Sequence, residues 1–231
     1  MVASGDGLIF LTDPAYGYEQ GFRTGRPQLG SNVYRYDPAT KELTVVATHS
    51  LQRPNGAALL DERDVGGGCT LFLTDSGFEE TAQKPRGFDG YGDSAVYMMK
   101  DPAGCFEPTN RQHFVGPIPL IPTVNGIQDG IKVHRGGGHR RKKKASEPLL
   151  LYCDGSGMWV WSIEKQSPIG IVRMPEGSGG PGTRGCTQLA IGRHREIRAG
   201  SSANQRDASD DTGGSGDGEG DSNHDYDTLW S

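Results

Sequence analysis

Apolar residues along this chain come in short runs, never at helical spacing. Ala57-Ala58-Leu59-Leu60, Leu71-Phe72-Leu73, Val96-Tyr97-Met98-Met99, Leu149-Leu150-Leu151-Tyr152-Cys153 and Trp159-Val160-Trp161 are each a few residues long. Clusters of Gly, Pro, Asp and Asn separate them. Runs of this length, bounded by turn residues, predict short buried strands and an all-β architecture. The 36 Gly and 14 Pro, against only 33% hydrophobic residues, fit many turns and few long elements.

The runs recur. Ile9-Phe10-Leu11-Thr12-Asp13 matches Leu71-Phe72-Leu73-Thr74-Asp75 at an offset of 62. Val33-Tyr34-Arg35-Tyr36-Asp37-Pro38 matches Val96-Tyr97-Met98-Met99-Lys100-Asp101-Pro102 at 63, and Trp159-Val160-Trp161-Ser162 lies another 63 along. A fixed period of this size marks a repeat architecture. Each repeat reads as four strands: residues 55–60, 70–75, 95–99 and 113–115, then 130–133, 149–153, 158–163 and 170–174. The first repeat supplies only three, at 8–11, 32–36 and 43–47, with an Asp37-Pro38-Ala39-Thr40 turn between the last two. Four antiparallel strands per radial repeat make a β-propeller blade. About three to four blades are represented, over residues 1–192. Thr187-Gln188-Leu189-Ala190-Ile191 reads as the first strand of a further blade. Residues 193–231 read as a disordered Gly/Ser/Asp-rich acidic tail.

The polar positions carry the functional reading. Asn55, in Arg53-Pro54-Asn55-Gly56, and Asp129, in Gln128-Asp129-Gly130, enter first strands of successive repeats at matching points. First strands line the channel of a propeller, so both side chains are expected to aim into it from one end. Amide and carboxylate oxygens suit a hard cation such as calcium. Read alone, Asn-Gly and Asp-Gly are merely turns.

Other features narrow the classes. A net charge of −5 gives no general reason to expect nucleic-acid binding. The basic run within residues 135–146 reads as a solvated glycine-flanked loop. No apolar run approaches the ~18 residues of a membrane span, and the first residues lack the pattern of a signal peptide. The chain as it stands therefore reads as cytoplasmic, and a missing start would leave room for secretion. Cys69, Cys105, Cys153 and Cys186 are widely spaced, unlike a structural zinc site. Cys69 and Cys153 read as buried thiols. The Asp-Gly pieces of the tail lack the ordered ligand spacing of a calcium loop.

Phe10-Leu11-Thr12-Asp13-Pro14-Ala15-Tyr16-Gly17-Tyr18-Glu19-Gln20-Gly21-Phe22-Arg23, followed by Val33-Tyr34-Arg35-Tyr36-Asp37-Pro38 and Arg53-Pro54-Asn55-Gly56, resembles the gluconolactonase/regucalcin (senescence marker protein) family, its fungal members above all. The resemblance covers roughly residues 7–192. It implies a six-bladed propeller with one axial divalent cation, usually calcium, and hydrolysis of sugar or related lactones. It implies Asn55 and Asp129 as metal ligands, with Asp129 also the general base. Tyr16, Glu19 and Arg23, on the loop over the channel mouth, are the candidates for substrate contact. The family's other ligands, a Glu in the first blade and an Asn or Asp upstream of the Asp6-Gly7 turn, have no positions here, so the chain reads as N-terminally truncated. Two functions follow as expectations. One is a metal-dependent lactonase acting on a small-molecule lactone; the other is a non-catalytic propeller remnant serving as a binding module. A strictosidine-synthase-like propeller fits less well, because Asn55 and Asp129 match a metal-ligand pattern. Open blade edges leave room for an oligomer.

Overall fold

The computed structural model describes residues 1–19, 21–48, 51–76, 95–108, 115–121, 129–135, 147–154, 156–173, 188–191 and 197–200. The architecture is nearly all-β. Three four-stranded antiparallel sheets follow one another along the chain, each with its strands in sequence order, and a two-stranded hairpin follows them. The first sheet holds β1 (Val2–Ala3), β2 (Ile9–Asp13), β3 (Asn32–Asp37) and β4 (Glu42–Thr48). The second holds β5 (Pro54–Asp61), β6 (Cys69–Asp75), β7 (Ala95–Asp101) and β8 (Val115–Ile121). The third holds β9 (Ile131–His134), β10 (Leu149–Asp154), β11 (Gly157–Ser162) and β12 (Ser167–Val172); the hairpin is β13 (Gln188–Ile191) with β14 (Ile197–Gly200). The first strands β1, β5, β9 and β13 neighbour one another in that order, as inner strands around a propeller axis do.

Period-two alternation places the core. Along β6, Leu71 and Leu73 point toward the first sheet, while Phe72 points toward the third. Along β5, Ala57 and Leu59 face the first sheet, and Ala58 and Leu60 the third. A sheet buried on both faces needs apolar residues at consecutive positions, which explains the unbroken runs. Phe10, Val33, Leu71, Leu73, Met99 and Phe106 form one inter-blade core; Phe72, Val96, Ile131, Leu150 and Tyr152 form the other.

Four features depart from the sequence pattern. The first repeat does have a fourth strand, since Val2↔Phe10 and Ala3↔Ile9 pair antiparallel. Two residues are too few to show a period. The fourth strand of the second sheet, expected at 113–115, begins at Val115 among the described residues and runs on to Ile121 as β8, which contains Pro117 and Pro119. An outermost strand tolerates proline because its free edge needs no N–H donor. Cys69 is not a thiol: it is bonded to Cys105, 36 residues away. Closing that loop restricts the unfolded chain by about 4 kcal/mol in a chain-entropy account. Cys153 is disulfide-bonded as well, to a partner outside the described residues. Regular structure also runs past residue 192, because β14 pairs with β13. The basic run at 136–146 and residues 201–231 lie outside the described residues.

Buried aspartates close the ends of the second strands in the second and third sheets, Asp75 and Asp154. Asp154 accepts from the Ser156 amide at 2.7 Å and from Trp159 Nε1 at 2.8 Å. The Trp159 ring stacks on Tyr152, with 9° between the planes. Burial raises the Asp154 pKa above the usual carboxylate value, so each donor matters most when the group is ionised. Trp159→Phe is expected to lose about 1.5–3 kcal/mol of stability while Asp154 is ionised. That loss should shrink as pH falls and Asp154 protonates. Urea unfolding at two pH values checks it; an equal loss at both would refute the account.

Candidate functional site

Asn55 is placed by a chain of backbone constraints. Asp75, buried at the end of β6, accepts from the backbone amides of Gln52 at 2.6 Å and Arg53 at 2.7 Å. Those contacts pin the segment that leads into β5. Within β5 the register shifts between Pro54 and Ala57. Pro54 has no N–H to offer the ladder, and the resulting irregularity re-aims the Asn55-Gly56 pair. Gly56 is needed for close approach. A Cβ there would overlap the Asp129 backbone oxygen, and would come within 2.8 Å of Thr74 Oγ1 and 2.9 Å of Ile131 Cγ2. The glycine thus lets the second and third blades meet, which is more than a turn requires.

Asp129 arrives from the next blade. Its amide donates to the Cys153 carbonyl at 3.1 Å, and the Cys153 amide donates to Gly130 O at 2.8 Å, so β10 holds the entry to β9. Asn55 Nδ2 donates to Asp129 Oδ1 at 2.9 Å. The two side chains singled out from successive repeats are therefore in direct contact across the blade boundary. Burial raises the Asp129 pKa, and the hydrogen bond from Asn55 opposes the rise.

Further side chains join this pair. Asn55 Nδ2 also reaches Ser76 Oγ at 3.3 Å, and Ser76 Oγ shares a hydrogen bond with the Tyr16 hydroxyl at 2.6 Å. Tyr16 opens the short helical turn α1 (Tyr16–Glu19) between β2 and β3. Burial pushes its pKa up to about 12, against the lowering effect of Ser76. At neutral pH the phenol is therefore protonated and can donate. Glu19, at the other end of α1, is paired with Arg53: Arg53 Nε lies 3.1 Å from Oε1 and 3.0 Å from Oε2.

Arg23 is placed differently. Its amide donates to Gly17 O at 2.7 Å, and its side chain lies over Gly17. With Asp13, Tyr18 and Arg26 it lines a cleft of about 560 Å³ whose lining includes neither Asn55 nor Asp129. The structure thus brings Tyr16, Asn55 and Asp129 together, ties Glu19 to the same neighbourhood through Arg53, and sets Arg23 beside a separate cleft. Sequence reasoning missed Ser76, Arg53, Thr12 and Thr74. Ser76 directly follows the recurring Thr-Asp, and the recurrence of a hydroxyl inside apolar runs was the available signal for the threonines.

Asn55 turns its amide nitrogen to the half-buried Asp129 carboxylate; with that amide turned over it would present its carbonyl oxygen beside the carboxylate. A donor set of hard oxygens fits a divalent cation of the calcium or magnesium type. A second grouping, Asp61 with Cys69 and Cys105, has its ligand atoms within 4.8 Å of one another. Both sulfurs there are spent in the disulfide, so no thiolate is available and the grouping does not suit a soft metal.

No family model matches the chain, and no curated protein matches it. Among solved structures, the chain is similar to a crystal structure described as that of a presumed gluconolactonase, with a TM-score of 0.53 and 18% identity. The match covers 83% of this chain and 50% of that one, so this chain spans half the length of its structural neighbour. At that identity the likeness establishes the fold: these sheets are blades of a partial β-propeller.

Proposed function

We propose that this chain is a lactonase-type hydrolase of the gluconolactonase kind, with its site at Asn55 and Asp129. The observation that carries the reading is the 2.9 Å contact between these two side chains, contributed by adjacent blades. Asn55 and Asp129 would hold a divalent cation, calcium by donor chemistry. Such an ion supplies Lewis-acid polarisation of a lactone carbonyl when bound. Asp129 would accept a proton from the attacking water. Tyr16, protonated at neutral pH, donates a hydrogen bond to a substrate oxygen. The Glu19–Arg53 ion pair forms the rim beside it, while Arg23, in its separate cleft, takes no part. Disulfides persist in oxidising compartments, so the proposed setting is secreted or lumenal. Fractionation that finds the chain in the cytosol with free thiols would overturn that setting.

A second reading rests on the coverage of only half the neighbour's length. With Asn55 and Asp129 alone, the blades would bind a cation and a ligand without turning it over. One experiment separates the two: thermal unfolding of the full chain with and without calcium, alongside hydrolysis of a simple sugar lactone. A calcium-dependent rise with turnover supports the hydrolase. A rise without turnover leaves the binding module, and no rise with no turnover removes both.

A further inference from the structure

The repeat places a threonine at the same point of two blades, and both hydroxyls make the same bond. Thr12 lies on β2 and Thr74 on β6, each followed by the recurring aspartate. Thr12 Oγ1 donates to the Asn55 backbone oxygen at 2.6 Å, and Thr74 Oγ1 donates to the Asp129 backbone oxygen at 2.7 Å. Each hydroxyl therefore reaches across a blade boundary to the carbonyl of the polar residue that opens the next inner strand. Thr74 does more. Its oxygen also accepts from the Gly56 amide at 2.7 Å. A single hydroxyl thus bridges the peptide that follows Asn55 and the carbonyl of Asp129. Thr74 is fully buried, where an unpaired hydroxyl would be costly, and its β-branched side chain allows little rotation. The third repeat has Cys153 at this position.

We propose that Thr12 and Thr74 are positioning residues for the axial site, each blade setting the place of the next blade's polar side chain, with Thr74 fixing the separation of Asn55 and Asp129. The proposal rests on the reading of Asn55 and Asp129 as a cation-holding pair. The absent Cβ of Gly56 is the other half of the device, because it lets the hydroxyl and the Asp129 carbonyl come within bonding distance. Groups that orient metal ligands typically change metal affinity by about 10–100-fold when removed.

The test compares Thr74→Val, which keeps the shape and removes the hydroxyl, with Thr74→Ser, which keeps the hydroxyl. Calcium affinity of the full chain is measured by calorimetric titration. Thr74→Val is expected to weaken binding by about 10–100-fold, and Thr74→Ser to restore most of it. Amide exchange at Gly56 is followed in the calcium-free chain, where the valine variant should lose protection and the serine variant keep it. Unchanged affinity in Thr74→Val, or an equal loss in Thr74→Ser, overturns the proposal. If the wild-type chain binds no calcium, the cation reading fails and Gly56 exchange alone decides the bridge: equal protection in all three proteins refutes it. Should Thr74→Val not fold, Thr12→Val is judged by the same affinity criterion.

Discussion

Replacing Asp129 with asparagine is expected to cut lactone turnover by about 10²–10⁴-fold and, without calcium and above the raised Asp129 pKa, to make the chain more stable. The two effects have one cause. Burial raises the Asp129 pKa above that of an ordinary carboxylate, so the folded state favours the protonated form. Its contribution to stability is present at low pH and is lost as pH rises through the raised value. Above that value the calcium-free protein carries an ionised, half-buried carboxylate, whose side-chain donor among the described residues is Asn55 Nδ2. Asparagine keeps an oxygen that can accept that bond and removes the charge. A bound cation would compensate the charge in the wild type, so calcium should stabilise the wild type and leave Asp129→Asn unmoved. Urea midpoints of both proteins at neutral pH and below pH ~4, with and without calcium, read the crossing. Parallel pH profiles, or turnover that survives the substitution, would defeat this account of Asp129.

Asp101→Ala is expected to lower stability by about 2–6 kcal/mol, at about 1–3 kcal/mol for each of the two buried amides, Gly104 and Phe106, left without an acceptor. Asp101 ends β7 and is fully buried. Its carboxylate accepts from the backbone amides of Ala103 and Gly104, both at 3.1 Å, and of Phe106 at 2.7 Å. These bonds shape the turn that carries Cys105 and Phe106. Cys105 then bonds Cys69, and Phe106 lies edge-on to Phe10 of the first blade at 5.8 Å. Phe106 has a φ of 62°, a backbone state unfavourable for a bulky residue and held here by its surroundings. One carboxylate thus supports both a crosslink and part of the core between the first two blades. Asp101→Asn is expected to recover little, because its amide group would face backbone donors. Chemical unfolding measures the effect; a loss below about 1 kcal/mol would show that the turn holds without the carboxylate.

The repeat was legible because its strands are buried on both faces, so each writes several consecutive apolar residues into the chain. Asn55 and Asp129 were legible because turn chemistry and repeat position coincide at them. Asp75, Asp101 and Asp154 look like turn aspartates in sequence, and only the fold shows them as acceptors for buried donors. β1 was too short to carry a period. β8 was hidden by prolines that an edge strand accepts.

The sequence by itself determined the all-β class, the blade-like repeat and the matched polar pair, since these follow from local period and spacing. Tertiary structure decided what the pair does with its neighbours. The Cys69–Cys105 bond, the Ser76–Tyr16 link, the separation of Arg23 from the axial residues and the threonine bridges each join residues far apart in the chain. Such contacts depend on how closely two blades approach, and that distance is set by packing, here by the missing side chain at Gly56.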